Sequence, residues 1–169
     1  MPWTTPATYS IGDILTAANL NTYLRDNMNM AGPTRTQASF APANPAGTTS
    51  TSGVMMGLAL AFTPVMTGRI LVLCKADIQN NTAGDGGTFL IGYGTGTAPV
   101  NGAALTGSVV GVAATQAQVA AASKSYSTCT FGIATGLTLS TAIWIDLRLL
   151  AVTGGTAALQ SINVVVLEI

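Results

Sequence analysis

Strict alternation marks the first clear element. Across 69–78, Ile70, Val72, Cys74, Ala76 and Ile78 fall on one side of an extended chain, while Arg69, Lys75 and Asp77 share the other with Leu71 and Leu73. Period two with one wholly apolar side predicts a β-strand. It runs into 80–87, where asparagine, glycine and aspartate follow one another as turn residues. Further strands are expected at 54–62, 88–93, 105–112, 125–133, 142–152 and 160–168, with Thr153-Gly154-Gly155-Thr156 turning between the last two. The stretch 113–123 is ambiguous: its alanines and glutamines favour helix, while its place between strands favours another strand. Short strands with glycine-rich turns and no alternating helices predict an antiparallel sandwich or barrel. The count is about eight, the jelly-roll number, so a mainly β, jelly-roll-like sandwich is expected. A seven-stranded immunoglobulin-like sandwich is the alternative, but the Cys…Trp…Cys spacing that would support it is missing.

The N-terminal part follows a different rhythm. Thr16 suits an N-cap, Leu15 and Leu20 stand at the positions of a hydrophobic staple, and Leu20, Tyr23, Leu24 and Met28 make one apolar stripe at helical spacing. Gly32-Pro33 ends the pattern. Asn19, Asn21, Asn27 and Asn29 make the helix weak on its own, so it needs a docking surface. Residues 33–53 are rich in Pro, Thr, Ser, Ala and Gly, with Phe40 as the one large apolar side chain, and read as a linker. The expected organisation is an anchoring arm and helix at 1–32, a linker at 33–53 and a β-sandwich oligomerisation domain at 54–169.

Charge sharpens this picture. Of 169 residues only 7% are charged, six basic and six acidic, for a net charge of zero. That is about one charge per 640 Å² of monomer surface, against roughly one per 180 Å² at average charge content. A free monomer of this kind is poorly protected from association, so burial against other subunits is expected. The absence of a basic cluster argues against nucleic acid. The longest nearly apolar stretch, 53–66, contains Thr63 and Pro64 and is shorter than the ~20 residues a membrane helix needs. Nor does the Met-Pro-Trp-Thr-Thr-Pro start have the basic and apolar regions of a secretory signal.

Candidate chemistry is sparse. There is no histidine, which removes Ser-His-Asp and Cys-His catalysis within this chain, and two isolated cysteines cannot complete a zinc site. Cys74 and Cys129 are expected as buried free thiols, with a disulfide as the alternative. Asp85 reads as a solvated turn residue, and 92–99, although glycine-rich, lacks the lysine of a phosphate loop. Within the apolar strand at 143–150, Trp144, Asp146 and Arg148 share one face, which suggests an ion pair at a sheet surface or a subunit interface. No cofactor and no enzymatic activity are expected.

One segment carries a resemblance. Trp3, followed by Gly12-Asp13-Ile14-Leu15-Thr16-Ala17 leading into a helix that reaches Arg25-Asp26-Asn27, resembles the N-terminal segment of many small virion structural proteins of tailed bacteriophages. The loop Tyr93-Gly94-Thr95-Gly96-Thr97-Ala98-Pro99, with Asn101-Gly102 and Leu105-Thr106-Gly107, looks like one found in the β domains of such proteins. The resemblance implies a head fibre or capsid decoration subunit in the virion, assembled in the host cytoplasm. Such a subunit is typically a homotrimer attached through its N-terminus to the major capsid protein or another virion structural protein. A tail fibre that binds host surface glycans is the alternative. Stripe and motif together make Trp3, Leu15, Leu20, Tyr23, Leu24, Arg25, Asp26 and Met28 the candidate attachment residues.

Overall fold

The computed structural model describes residues 7–8, 10–14, 16–25 and 36–169. Nine strands form among them: β1 (Gln37–Phe40), β2 (Val54–Met55), β3 (Leu60–Phe62), β4 (Ile70–Asn80), β5 (Gly87–Thr95), β6 (Ser108–Gln116), β7 (Tyr126–Ala134), β8 (Ile143–Ala151) and β9 (Ala157–Glu168). The pairing is nested. β5 meets β6, β4 meets β7, β2 and β3 meet β8, and β1 meets β9, all antiparallel. This is one long hairpin, which then rolls so that β4 also pairs with β9 and β5 with β8. Two antiparallel sheets result, β1-β9-β4-β7 (sheet A) and β2-β8-β5-β6 with β3 also on β8 (sheet B). The chain is therefore a jelly-roll-like sandwich.

The core lies between the sheets and is built by alternation. Ile70, Val72, Cys74, Ala76 and Ile78 of β4 all point inward, facing Ile143, Ile145, Leu147 and Leu149 of β8 together with Phe89 and Ile91 of β5. β9 changes parity along its length: Ala157 and Leu159 are buried, then Ile162, Val164 and Val166. Ser161 adopts a positive φ of 49° opposite the register shift at Lys75–Asp77, a β-bulge that lets both halves of the strand face the core.

Three strand expectations change in detail. The segment 54–62 is split, because the chain turns at Gly57 and Ala59, both at positive φ, between β2 and β3. β6 ends at Gln116, so 113–116 is strand and the following residues are loop, with Val119 buried as its anchor. The segment read as a linker contributes to the sandwich. Gln37–Phe40 pairs with β9, Thr48 forms a bridge with Ala157, and Asn44 Oδ1 accepts a hydrogen bond from the Ser161 amide. Tertiary pairing supplies what the local composition does not.

A buried carboxylate fastens the loop between β3 and β4. Glu168 accepts backbone N–H bonds from Val65, Met66 and Thr67, the last two at 2.6 Å. Burial alone would raise its pKa, but the N–H groups of Thr67, Val65, Met66 and Gly68 outweigh burial and lower it. An acid with a folded pKa below its ordinary 4.5 stabilises fully above that value and loses the contribution as pH falls through the lower folded value. At pH 7, Glu168→Gln should lower the unfolding free energy by roughly 1.5–3 kcal/mol. The gap to wild type should shrink as pH drops below 4.5, a comparison that denaturant melts at neutral and acid pH provide. A gap independent of pH would contradict this role.

Candidate functional site

β8 is buried on both sides. Its odd-numbered residues enter the core, and its even side, carrying Trp144, Asp146 and Arg148, lies beneath a cover drawn from 44–58 and 95–107 of the same chain. The Trp144 indole donates its Nε1–H to the Thr95 carbonyl at 3.2 Å. It fits a slot that only glycine leaves open, since a Cβ at Gly94 or Gly107 would overlap the ring. Asp146 is wholly buried and accepts N–H bonds from Gly57 (2.9 Å), Leu58 (2.9 Å) and Leu147 (2.8 Å). Burial raises its pKa against the opposing pull of these three donors. Arg148 donates to the Thr106 and Gly107 carbonyls at 2.6 and 2.8 Å. Asn101 completes the cover by donating to the carbonyls of Met56 and Ala46.

The structure thus brings together Trp144, Asp146 and Arg148, the three residues expected at a subunit interface, and corrects the expected ion pair. Asp146 and Arg148 are not an ion pair at an open surface; each is satisfied by backbone groups of its own chain. Alternation places residues on a face, but does not say that a distant loop will cover that face. The signal was present in the spacing of Gly94 and Gly107 around the 93–107 loop, whose glycines admit the indole.

Among the described residues, the outer face of sheet A has no such cover. On three adjacent strands the register sets Leu71 beside Ile133 and Leu167, and Leu73 beside Phe131 and Val165. Phe131 is 65% exposed and Ile133 50%. The apolar surface continues round the corner to β6, where Val109 and Val112 are exposed and the Thr130 hydroxyl donates to the Val112 carbonyl. The charged side chains at the end of this face, Lys75 and Asp77, pair with each other at 2.7 Å, and Ser127 also bonds Asp77. Those contacts lower the Asp77 pKa, first through Lys75 and then through Ser127.

Both cysteines are free, but they differ. Cys74 points into the core, and burial pushes its thiol up to about 12. Cys129 lies beside Lys75 on the outer face and is exposed, which corrects the expectation that both thiols are buried. Neighbouring positions on opposite faces of a sheet also explain why the alternative disulfide is not formed.

The attachment candidates form a separate element. Ser10 donates its N–H to the Asp13 carboxylate at 2.6 Å, Gly12 has a positive φ, and the Thr16 hydroxyl accepts from the Asn19 N–H. The Gly-Asp-x-Leu-Thr-Ala motif is therefore a turn followed by a helix cap. A helical turn, α1 (Ala17–Leu20), continues as a π-helical turn at Asn21–Arg25. Leu20 and Leu24 stand exposed and Tyr23 is half-buried. Trp3, Leu15, Asp26 and Met28 lie outside the described residues, as does the Arg25 side chain. Among the described residues no group of three His, Cys, Asp or Glu could hold a metal, and no helix is long and apolar enough to cross a membrane.

Removing the Asp146 carboxylate strands three buried donors at roughly 1–3 kcal/mol each. Asp146→Ala should therefore cost at least about 3 kcal/mol and lower the melting temperature by about 6–12 °C, with no change in the number of chains that associate. Calorimetry and light scattering on one sample check both halves. Loss of association in a variant of unchanged melting temperature would return Asp146 to a subunit contact.

No protein-family model matches the chain, and no curated protein matches it in sequence. Among solved structures it is similar to Eiger TNF from S. frugiperda, with 8% identity and a TM-score of 0.45 over 80% of this chain and 92% of that one. It is also similar to chains in structures of infectious bursal disease virus. For the Gx strain the identity is 12% and the TM-score 0.44, covering 79% of this chain and 32% of that one. For the Gt strain they are 11% and 0.46, covering 80% and 34%. This chain spans about a third of the two viral chains it matches.

Proposed function

We propose that the chain is a non-enzymatic structural subunit of a bacteriophage particle, a homotrimeric head fibre or capsid decoration protein held to the virion by its N-terminal helix. The observation that carries this reading is the pair Leu20 and Leu24, exposed on a helical segment of Ala17–Leu20 and Asn21–Arg25. An isolated helix of this asparagine-rich sequence is not stable in water by itself, so its apolar stripe needs a surface to bury it. The turn and cap before it belong to the segment that resembles the N-terminal segment of virion structural proteins. The carboxylates support a structural role as well. Asp146 and Glu168 are buried beneath backbone N–H groups, Asp77 is paired with Lys75, and Asp85 takes the Thr153 hydroxyl. These contacts fasten loops to sheets, and the acids that make them serve the sandwich itself. The partner of the helix is the major capsid protein or another structural protein of the particle.

A buried large apolar side chain contributes roughly 1.5–3 kcal/mol, a factor of about ten or more in affinity. Leu24→Asp should therefore reduce incorporation into particles by about that factor. Arg25→Ala, which leaves the stripe intact, should incorporate as wild type does. Counting subunits per purified particle decides it. Normal incorporation of Leu24→Asp together with loss of Arg25→Ala would replace apolar docking by a polar latch.

A further inference from the structure

We infer that a second copy of this chain covers the outer face of sheet A, centred on Leu73 and Phe131. The inference rests on the association proposed above and assigns it a surface. The chain covers its other outer face with loops, burying Trp144 and half-burying Arg148, yet the described residues put no cover over six apolar side chains of sheet A, of which Leu73, Phe131 and Ile133 are exposed and Leu71, Val165 and Leu167 half-buried. Strands about 4.8 Å apart, with same-face residues about 6.8 Å apart, give three strands and two apolar rows a footprint on the order of 200 Å².

Charge selects the occupant. Lys75 and Asp77 neutralise each other, and among the described residues exposed Arg69 at the far end is the one cation left on the face, too little to select a phosphate or a strongly charged protein. It suits a partner as neutral and apolar as itself, and this chain, 7% charged with zero net charge, is such a partner. Area adds a constraint. A stable interface takes about 800 Å² from each partner, so the footprint on sheet A is too small alone. The apolar corner that carries Val109 and Val112 extends it. A closed three-fold ring is built from two unlike patches that meet between neighbours, so this face and corner together would meet a different surface of the next copy.

Cys129 is a native reporter on this face, because Cys74 is buried and its thiol stays protonated. Light scattering on wild type should give about three times 17.0 kDa. A bulky maleimide should label Cys129 slowly in that state and faster on dilution. Phe131→Asp and Ile133→Asp, at half-exposed or more exposed positions, should stay folded by circular dichroism, fall to 17.0 kDa and label freely at Cys129. Val100→Asp puts the same charge on the exposed cover loop over sheet B and should remain associated. Wild type that associates while Cys129 labels at one rate at every concentration would overturn the surface assignment and leave association standing. So would association retained in both folded sheet A variants. A wild type that is monomeric at micromolar concentration would instead remove the association itself.

Discussion

Everything in this sandwich turns on a strand that has to be buried twice. β8 lies at the centre of sheet B, with an apolar side in the core and a side of mixed chemistry, Trp144, Asp146 and Arg148, that cannot be left dry and unpaired. Few countercharges are at hand in a chain with six basic and six acidic residues. The requirement is met by backbone: N–H groups from Gly57, Leu58 and Leu147 for the carboxylate, and carbonyls of Thr95, Thr106 and Gly107 for the indole and the guanidinium. Those groups come from two distant loops. Satisfying β8 therefore positions 53–58 and 95–107 and closes the outer side of sheet B. Glu168 acts likewise on the opposite sheet, capturing the turn before β4.

The two sheets are consequently unequal. Sheet B is insulated by its own chain, whereas sheet A presents leucine, phenylalanine, isoleucine and valine between Arg69 at one end and the Lys75–Asp77 ion pair at the other. An interior built by alternation does not require apolar residues on the outer side of a strand. Leu71, Leu73, Phe131 and Ile133 contribute little to the core, and their chemistry makes sense in an assembly. The exposed leucines of the N-terminal helix repeat the pattern at a second place. Both leave apolar side chains that a partner would bury.

Much of the sandwich was legible along the chain. The inward residues of β4 were those that alternation selects, and the 80–87 turn stood where its asparagines and glycines placed it. What escaped reading has identifiable causes. Gln37–Phe40 is a strand because β9 pairs with it, and nothing in Gln-Ala-Ser-Phe among prolines and threonines signals that. The bulge at Ser161 reverses the parity of β9 without a glycine to announce it. Trp144, Asp146 and Arg148 were found as a set, but their cover comes from residues 41 to 89 positions away, beyond any local pattern. For Cys129, the pairing of β4 with β7 decides which side it faces. Likewise, Phe131 and Ile133 drew no notice until that register placed them beside Leu71 and Leu73.

The central claim is that one outer face is closed by the chain itself and the other by its neighbours. Hydroxyl-radical footprinting read by mass spectrometry, at concentrations above and below association, tests both parts in a single experiment. Phe131 should be protected in the assembled protein and become reactive on dilution, while Trp144 stays unreactive throughout. Phe131 reactive at every concentration, or Trp144 exposed when the subunits separate, would contradict the account.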